Sequence, residues 1–368
     1  MDCVKTKLGF GLMRLTYKDG RIDAQVLCQM VDEFLKHGYD YFDTAYMYCD
    51  GEAEKIVPEV LSSRYPRSAY RFATKLSSPT FETRDDMQKV FQTQLERTGV
   101  GYFDNYLLHS IGTPNIDKYE QTGAWDFISQ MKSEGLVKHI GFSFHDKPET
   151  LDEVLTHHPE AEFVQLQVNY ADWNSGNVRS RECCEVARRH NKPIIIMEPV
   201  KGGCLAAMSD EIRALLKSKQ PDMSIASWAI RFAASVEGAV TVLSGMSDLA
   251  QVKDNVSLFD SMKPLSQDEL ETIDRVNLML SQTPTVPCTR CKYCVPQCPQ
   301  SMNIPGIIGV LNLYDTYRNI TREKNHYGMV TQNGSKASEC LQCGLCEAQC
   351  PQKIEIIRQL QRAAQLFE

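Results

Sequence analysis

No stretch of these 368 residues approaches the roughly 20 apolar residues that cross a bilayer, so no membrane span is expected. The start, Met1-Asp2-Cys3-Val4-Lys5, runs into Leu8-Gly9-Phe10-Gly11 without the apolar core of a signal peptide. Excess positive charge is missing too: 40 basic residues face 47 acidic ones, a net charge of -7. That balance argues against nucleic acid or an anionic membrane as partner. No internal repeat stands out beyond two cysteine groups. These absences lead us to expect a globular protein of the cytoplasm. At 42% apolar and 24% charged residues, the chain can bury one large domain and hold a small one.

What the chain does have is cysteine. Fourteen cysteines without an export signal point to metal or redox chemistry rather than disulfides. Eight lie in two runs, Cys288-x-x-Cys291-x-x-Cys294-x-x-x-Cys298-Pro299 and Cys340-x-x-Cys343-x-x-Cys346-x-x-x-Cys350-Pro351. This is the bacterial ferredoxin spacing, in which three thiolates of one loop hold three corners of a cubane and the fourth cysteine serves the other cluster. By that rule Cys288, Cys291, Cys294 and Cys350 hold one [4Fe-4S] cluster, and Cys340, Cys343, Cys346 and Cys298 hold a second. Zinc is the competing reading, but its sites usually use two separated C-x-x-C pairs. Between the runs, Ile304 to Tyr317 is expected as a helix. A polar, basic stretch and the turn signal Asn333-Gly334 follow. The insert reads as a cover that shields a cluster; a docking surface is the alternative, with no motif to support it.

Upstream, short apolar runs begin at Leu8, Tyr39, Arg71, Asn105, His139, Phe163, Pro193 and Ala239, alternating with amphipathic stretches. Ala24 to Leu35, followed by Gly38, and Arg84 to Thr98, closed by Gly99, are expected helices. Ser266 and Glu269 have capping-box spacing ahead of another helix, to about Leu280. Eight strand-helix units over about 250 residues match a (β/α)8 TIM barrel; a doubly wound open sheet has the same local pattern. The expected organisation is a barrel over residues 1–262, a helix and linker over 263–287, and a small α+β two-cluster ferredoxin-like domain over 288–368.

In such a barrel the carboxyl-terminal ends of the strands carry the chemistry. Tyr41-Phe42-Asp43 ends in an acid, with Tyr48 just beyond; Ala73-Thr74-Lys75 and Leu107-Leu108-His109 end in a base and an imidazole. A phenol stays protonated at pH 7 and can give a proton to a carbonyl oxygen. Lys75 would lower the Tyr48 pKa, Asp43 would place Lys75, and His109 would orient the oxygen. Asp43 with Lys75 also reads as a plain structural ion pair. Lys201-Gly202-Gly203 follows the seventh strand, where barrels often bind phosphate.

Over roughly residues 1 to 280 the chain resembles the aldo/keto reductases. The motifs are Leu8-Gly9-Phe10-Gly11-Leu12-Met13-Arg14, the Asp43/Tyr48 segment, Ala73-Thr74-Lys75, Leu107-Leu108-His109, Ile140-Gly141-Phe142-Ser143, and Ser244-Gly245 running on to Asn255. With its cysteine module it resembles the subgroup that carries a C-terminal 4Fe-4S domain. The resemblance implies Asp43, Tyr48, Lys75 and His109 as the catalytic tetrad and NADP(H) or NAD(H) as cofactor. It implies nicotinamide contacts from Ser143, Gln165 and Met197, and dinucleotide contacts from Lys201, Gly202, Gly203, Gly245, Ser247, Gln251 and Asn255. Phe144 and His145 follow Ser143 where the family usually has Asn, and Met197 replaces a stacking aromatic. Gly245 and Gln251 stand where many relatives place basic residues for a 2′-phosphate. The expected substrate is a small carbonyl compound or alcohol, with a ferredoxin or other redox protein as a further partner. In the alternative, an electron-transfer protein, the barrel only docks or senses. A flavin would convert hydride to single electrons, but no motif supports one. Cys28, Cys49, Cys183, Cys184 and Cys204 are expected to pack, and Trp125 and Trp173 to shape a pocket or simply fill space.

Overall fold

The computed structural model describes residues 8–176 and 178–368; Met1 to Lys5 lie outside them. The chain divides into two compact units, one running through Val200 with Ser227–Leu265, the other formed by Lys201–Ala226 and Ser266–Glu368.

The first unit is a closed barrel of eight parallel strands. They are β1 (Leu8–Gly11), β2 (Tyr41–Asp43), β3 (Arg71–Ser77), β4 (Phe103–Ile111), β5 (Val137–Phe144), β6 (Phe163–Gln167), β7 (Ile194–Met197) and β8 (Ala239–Ser244). Strand β1 pairs with β2 on one side and β8 on the other, with Gly9 opposite Tyr41 and Leu243, which closes the ring that local patterning leaves open. Gly9 is required there, because a Cβ would come within 2.7 Å of the Leu243 side chain and 2.9 Å of Thr241.

The helices follow their end signals. Ala24–Lys36 begins where the Asp23 carboxylate accepts from the Val26 amide at 3.1 Å; it buries Leu27, Met30, Val31 and Phe34, and Gly38 follows at φ +83°. Arg84–Thr98 carries a Thr83/Asp86 capping box and stops at left-handed Gly99. The β2–β3 connection is less regular: a 3-10 turn at Tyr48–Gly51, a short helix at Glu52–Lys55 and a π turn at Pro58–Ser62. A small hairpin pairs Tyr17–Lys18 with Arg21–Ile22 around Asp19-Gly20. Trp125 is core, stacked on His158 at 4.1 Å.

In the second unit, Asp210–Lys219 and the capping-box helix Gln267–Gln282 are tied by Lys219–Asp268 at 2.7 Å and Gln220–Glu269 at 2.9 Å. The cysteine region was expected to be α+β; instead it is helical, with no strand among its described residues. Helices Ile304–Tyr317, Ile320–Thr331 and Ile356–Phe367 pack around Met302, Ile307, Leu311, Tyr327, Leu360 and Phe367. The linker at Val286 is held by the Asn312 side-chain amide, whose Oδ1 accepts from Val286 N and whose Nδ2 donates to Val286 O, at 2.8 Å each. The polar stretch after Tyr317 is the helix Ile320–Thr331, capped by Asn319. Among the described residues, no helix is long and apolar enough to cross a membrane.

Candidate active site and cluster sites

Strand geometry builds the site. Tyr41, Ala73, Leu107, Phe163 and Ile195 form one buried cluster inside the barrel. Side chains alternate along a strand, so residues two positions further on share that inward face. Those residues are Asp43, Lys75, His109, Gln165 and Met197, and Ser143 stands in the same relation to Gly141. The barrel interior is apolar below and polar at its rim.

Lys75 is fully buried. Its Nζ donates to Asp43 Oδ1 and to the Thr44 carbonyl, both at 2.6 Å. Burial alone would lower its pKa, but Asp43 and the Tyr48 phenol hold it above its usual value, so the ammonium stays charged. Burial raises the Asp43 carboxyl against the pull of Lys75. The Tyr48 ring lies with its centroid 4.9 Å from Lys75 Nζ. Lys75 pulls the phenol down through charge and hydrogen bonding, as expected, yet burial outweighs it and the net shift is upward. The His109 ring meets Tyr48 edge-on at 5.8 Å, and its Nδ1 lies 2.6 Å from the Ser77 hydroxyl. Burial, Lys75 and His145 push the His109 pKa down to about 3, so the imidazole is neutral.

Three rim residues, Arg14, His145 and Glu198, were given no role by the sequence reading. Arg14 pairs with Glu198 at 2.5 Å, and the Glu198 charge acts on Tyr48 and on His145. His145 opens to solvent, yet the protein packed around it and Lys75 lower its pKa against the pull of Glu198. Glu198 left a faint signal in the sequence, a charge directly after a buried strand, and its φ is +56°. Behind β3 a further acid, Glu54, is fully buried. It accepts from Thr74 at 2.7 Å and Gln94 at 2.6 Å, and Gln94 also reaches the Lys75 carbonyl at 3.2 Å.

The residues expected to hold a nicotinamide are partly gathered. Ser143 and Gln165 are register partners on β5 and β6, both buried. Ser143 Oγ accepts from the Ser110 amide at 2.7 Å, while Gln165 Oε1 is buried without a partner. A buried acceptor in need of a donor fits the N–H of a carboxamide. Met197 is half-buried at the end of β7. Gly245, Ser247, Gln251 and Asn255 form a separate group at the start of helix Leu249–Asp260. There Ser247 N donates to Gln251 Oε1 at 2.9 Å, Asp248 takes both Gln251 N and Nε2, and Asn255 holds Ser244 Oγ at 2.7 Å. Lys201, Gly202 and Gly203 belong to the second unit, three consecutive left-handed residues at φ +51°, +63° and +86°.

The cysteines bound two hollows. One is lined by Cys288, Cys291, Cys294 and Cys350 with Ile304, Ile308 and Ile356. The other is lined by Cys298, Cys340, Cys343 and Cys346 with Ile304, Ile357 and Leu360. All eight are free thiols, four to a hollow and walled by apolar side chains. Among the described residues, no three His, Cys, Asp or Glu side chains close on one ion. Four cysteine thiols line each hollow, the donor set that a group with four thiolate corners takes.

A family model described as "Aldo/keto reductase family" matches residues 7–278, and one described as "4Fe-4S dicluster domain" matches residues 287–355. The chain belongs to the aldo/keto reductase family and is an oxidoreductase of that type, carrying a 4Fe-4S ferredoxin-type domain. It is similar to L-galactose dehydrogenase of Arabidopsis thaliana, 22% identical over 74% of this chain and 90% of the relative. It is also similar to glyoxal reductase of Bacillus subtilis, 25% identical over 68% of this chain and 83% of the relative. Among solved structures, the holo form of an aldo-keto reductase from Bacillus halodurans matches with a TM-score of 0.61 and 25% identity, covering 73% of this chain and 91% of that one. A Klebsiella pneumoniae aldo/keto reductase in complex with NADP and acetate has the same fold, with a TM-score of 0.60, 20% identity and coverage of 74% and 91%.

Proposed function

We propose that the chain interconverts a small aldehyde or ketone and its alcohol with NAD(P)H, using Tyr48 as acid/base. The observation that carries this is the buried Asp43–Lys75 pair beneath the Tyr48 ring, with a neutral His109 edge-on to it. The nicotinamide, when bound, supplies hydride to the carbonyl carbon. Tyr48 keeps its proton at neutral pH, because burial outweighs Lys75, and so has one to give to the carbonyl oxygen. Lys75, held charged by Asp43, stabilises the phenolate left behind. With Ser77 donating to Nδ1, His109 keeps its hydrogen on Nε2 and donates it to the same oxygen. Gln165 and Ser143 would take the carboxamide and Met197 would pack on the ring. Lys201, Gly202, Gly203, Gly245, Ser247, Gln251 and Asn255 would hold the rest of the dinucleotide.

We assign one [4Fe-4S] cluster to Cys288, Cys291, Cys294 and Cys350, and a second to Cys340, Cys343, Cys346 and Cys298. The clusters would exchange single electrons with a redox partner, and exposed thiolate chemistry suits the reducing cytoplasm. As a functional division we propose 1–262, 263–287 and 288–368, which differs from the two compact units in counting Lys201–Ala226 with the barrel. The test is Tyr48→Phe, which keeps the ring and removes the proton. Carbonyl reduction should fall by ~10²–10⁴-fold with nicotinamide affinity retained; near wild-type turnover would remove Tyr48 from this role.

A further inference from the structure

The two cysteine loops share three left-handed backbone positions and differ in the charge placed there. Residues at equivalent positions of the two runs share left-handed conformations: Arg290 and Gln342 at φ +57° and +52°, Lys292 and Gly344 at +66° and +77°. The third pair follows the matching Cys-Pro-Gln turns, Lys353 at +53° and Ser301 at +50°. Each turn is closed by the same bond, Lys353 N to the Cys350 carbonyl and Ser301 N to the Cys298 carbonyl. Left-handed backbone favours glycine and disfavours long L side chains. At the Cys340 hollow these positions hold a glycine and two neutral polar residues. At the Cys288 hollow all three hold cations.

These cations have no internal use. Arg290, Lys292 and Lys353 are exposed and make no ion pair with any described residue, whereas the module's six carboxylates are engaged elsewhere. Lys292 lines the hollow beside exposed Cys291, and Arg290 lines the open groove next to it. Residues 288–368 carry nine basic and six acidic side chains in a chain whose net charge is -7. The neutral hollow is lined instead by exposed Leu341.

We propose that the Cys288 hollow is the electron port of this module, and that its three-cation rim docks a small acidic one-electron carrier protein. The proposal rests on the assignment of clusters to the two hollows. The carrier gives up one electron and the oxidised cluster takes it, with no bond made or broken. Charge at the rim acts first on encounter, raising association rates by roughly 10–10³-fold at low salt.

The test uses the full, anaerobically prepared chain and reduced flavodoxin, a small acidic flavoprotein, as probe. Iron and acid-labile sulfide are measured first; their absence removes the cluster assignment and the proposal with it. Cluster bleaching is then followed by stopped flow over a range of salt. Arg290→Gln/Lys292→Gly/Lys353→Ser places at each site the residue its counterpart already tolerates. It should react about tenfold more slowly at low salt and lose most of its salt dependence. Lys324→Gln/Lys336→Gln/Arg358→Gln removes equal charge elsewhere in the module and should stay within about twofold of wild type. Equal slowing of both variants, or a wild type that flavodoxin does not reduce, overturns the proposal. So does a rim variant whose midpoint potential shifts in an EPR titration while its salt slope stays unchanged, since the cations would then only tune the cluster.

Discussion

At the scale of single residues, the site is a set of charges settled by burial. Lys75 stays charged inside the barrel because Asp43, 2.6 Å from its nitrogen, and the Tyr48 phenol together outweigh its burial. His109 resolves the same problem the other way and stays neutral, its pKa lowered from 6.5 to about 3. The sign follows directly. Between pH 3 and 6.5 the unfolded imidazole binds a proton that the folded one refuses. The contribution of neutral His109 to stability is therefore full above about 6.5 and is lost as pH falls below it. His109→Asn removes the titration and keeps a hydrogen-bonding side chain. From pH 7 to pH 5 the wild type should lose stability relative to this variant, by at most ~1.4 kcal/mol per pH unit below 6.5. Denaturant midpoints of the two proteins, measured in parallel with clusters intact, check this. Equal pH slopes would mean that His109 titrates normally in the folded protein. At this scale the sequence was readable where a polar residue ended an apolar strand, as at Asp43, Lys75 and His109. It was mute at Arg14 and Glu198, which meet only because β1 and β7 lie in one ring.

At the scale of elements, strands and capped helices were legible and connections were not. Arg84–Thr98, bounded by Thr83 and Gly99, and Gln267–Gln282, opened by Ser266 and Glu269, announce themselves through local capping chemistry. The helix Ile320–Thr331 does not, since little of it beyond Glu323, Tyr327 and Thr331 is buried and no apolar stripe marks it. The linker at Val286, legible as extended from its prolines, is held by a side chain the sequence does not point to, Asn312. Register matters in the same way behind β3. Glu54 lies far from Thr74 and Gln94 in sequence, yet it satisfies both and thereby steadies the strand that presents Lys75. Glu54→Ala should destabilise the protein by about 2–4 kcal/mol, because buried polar partners are left unpaired. Glu54→Gln keeps an acceptor oxygen and should lose less than half as much. Chemical denaturation under anaerobic conditions separates the two; equal losses would show that the charge, not the acceptor, holds the network.

At the scale of the whole molecule, two kinds of electron chemistry share one chain. A reduced nicotinamide gives up its two electrons together as hydride, while a [4Fe-4S] cluster accepts one at a time. In the proposed reaction Tyr48, Lys75 and His109 would manage a proton and a carbonyl oxygen, and no residue assigned above would split an electron pair. Two cubane clusters require about eight iron atoms per chain with matching acid-labile sulfide, and anaerobically purified protein should contain them; tightly bound zinc without sulfide would refute the assignment. Given the clusters, NADH or NADPH added anaerobically, without flavin or carrier, should leave the EPR spectrum that of oxidised clusters, whether or not carbonyl substrate is present. Cys343→Ser/Cys346→Ser, if it stays folded by circular dichroism, should lose the second cluster and keep carbonyl reduction near wild type. Cluster reduction by NAD(P)H alone would instead mean that the chain contains its own converter of hydride into single electrons. Loss of carbonyl reduction in the folded cysteine variant would tie the barrel's chemistry to the module. The expected pattern, silent clusters with NAD(P)H and reduced clusters with an acidic carrier, would make the barrel and the module two redox centres fed by different donors.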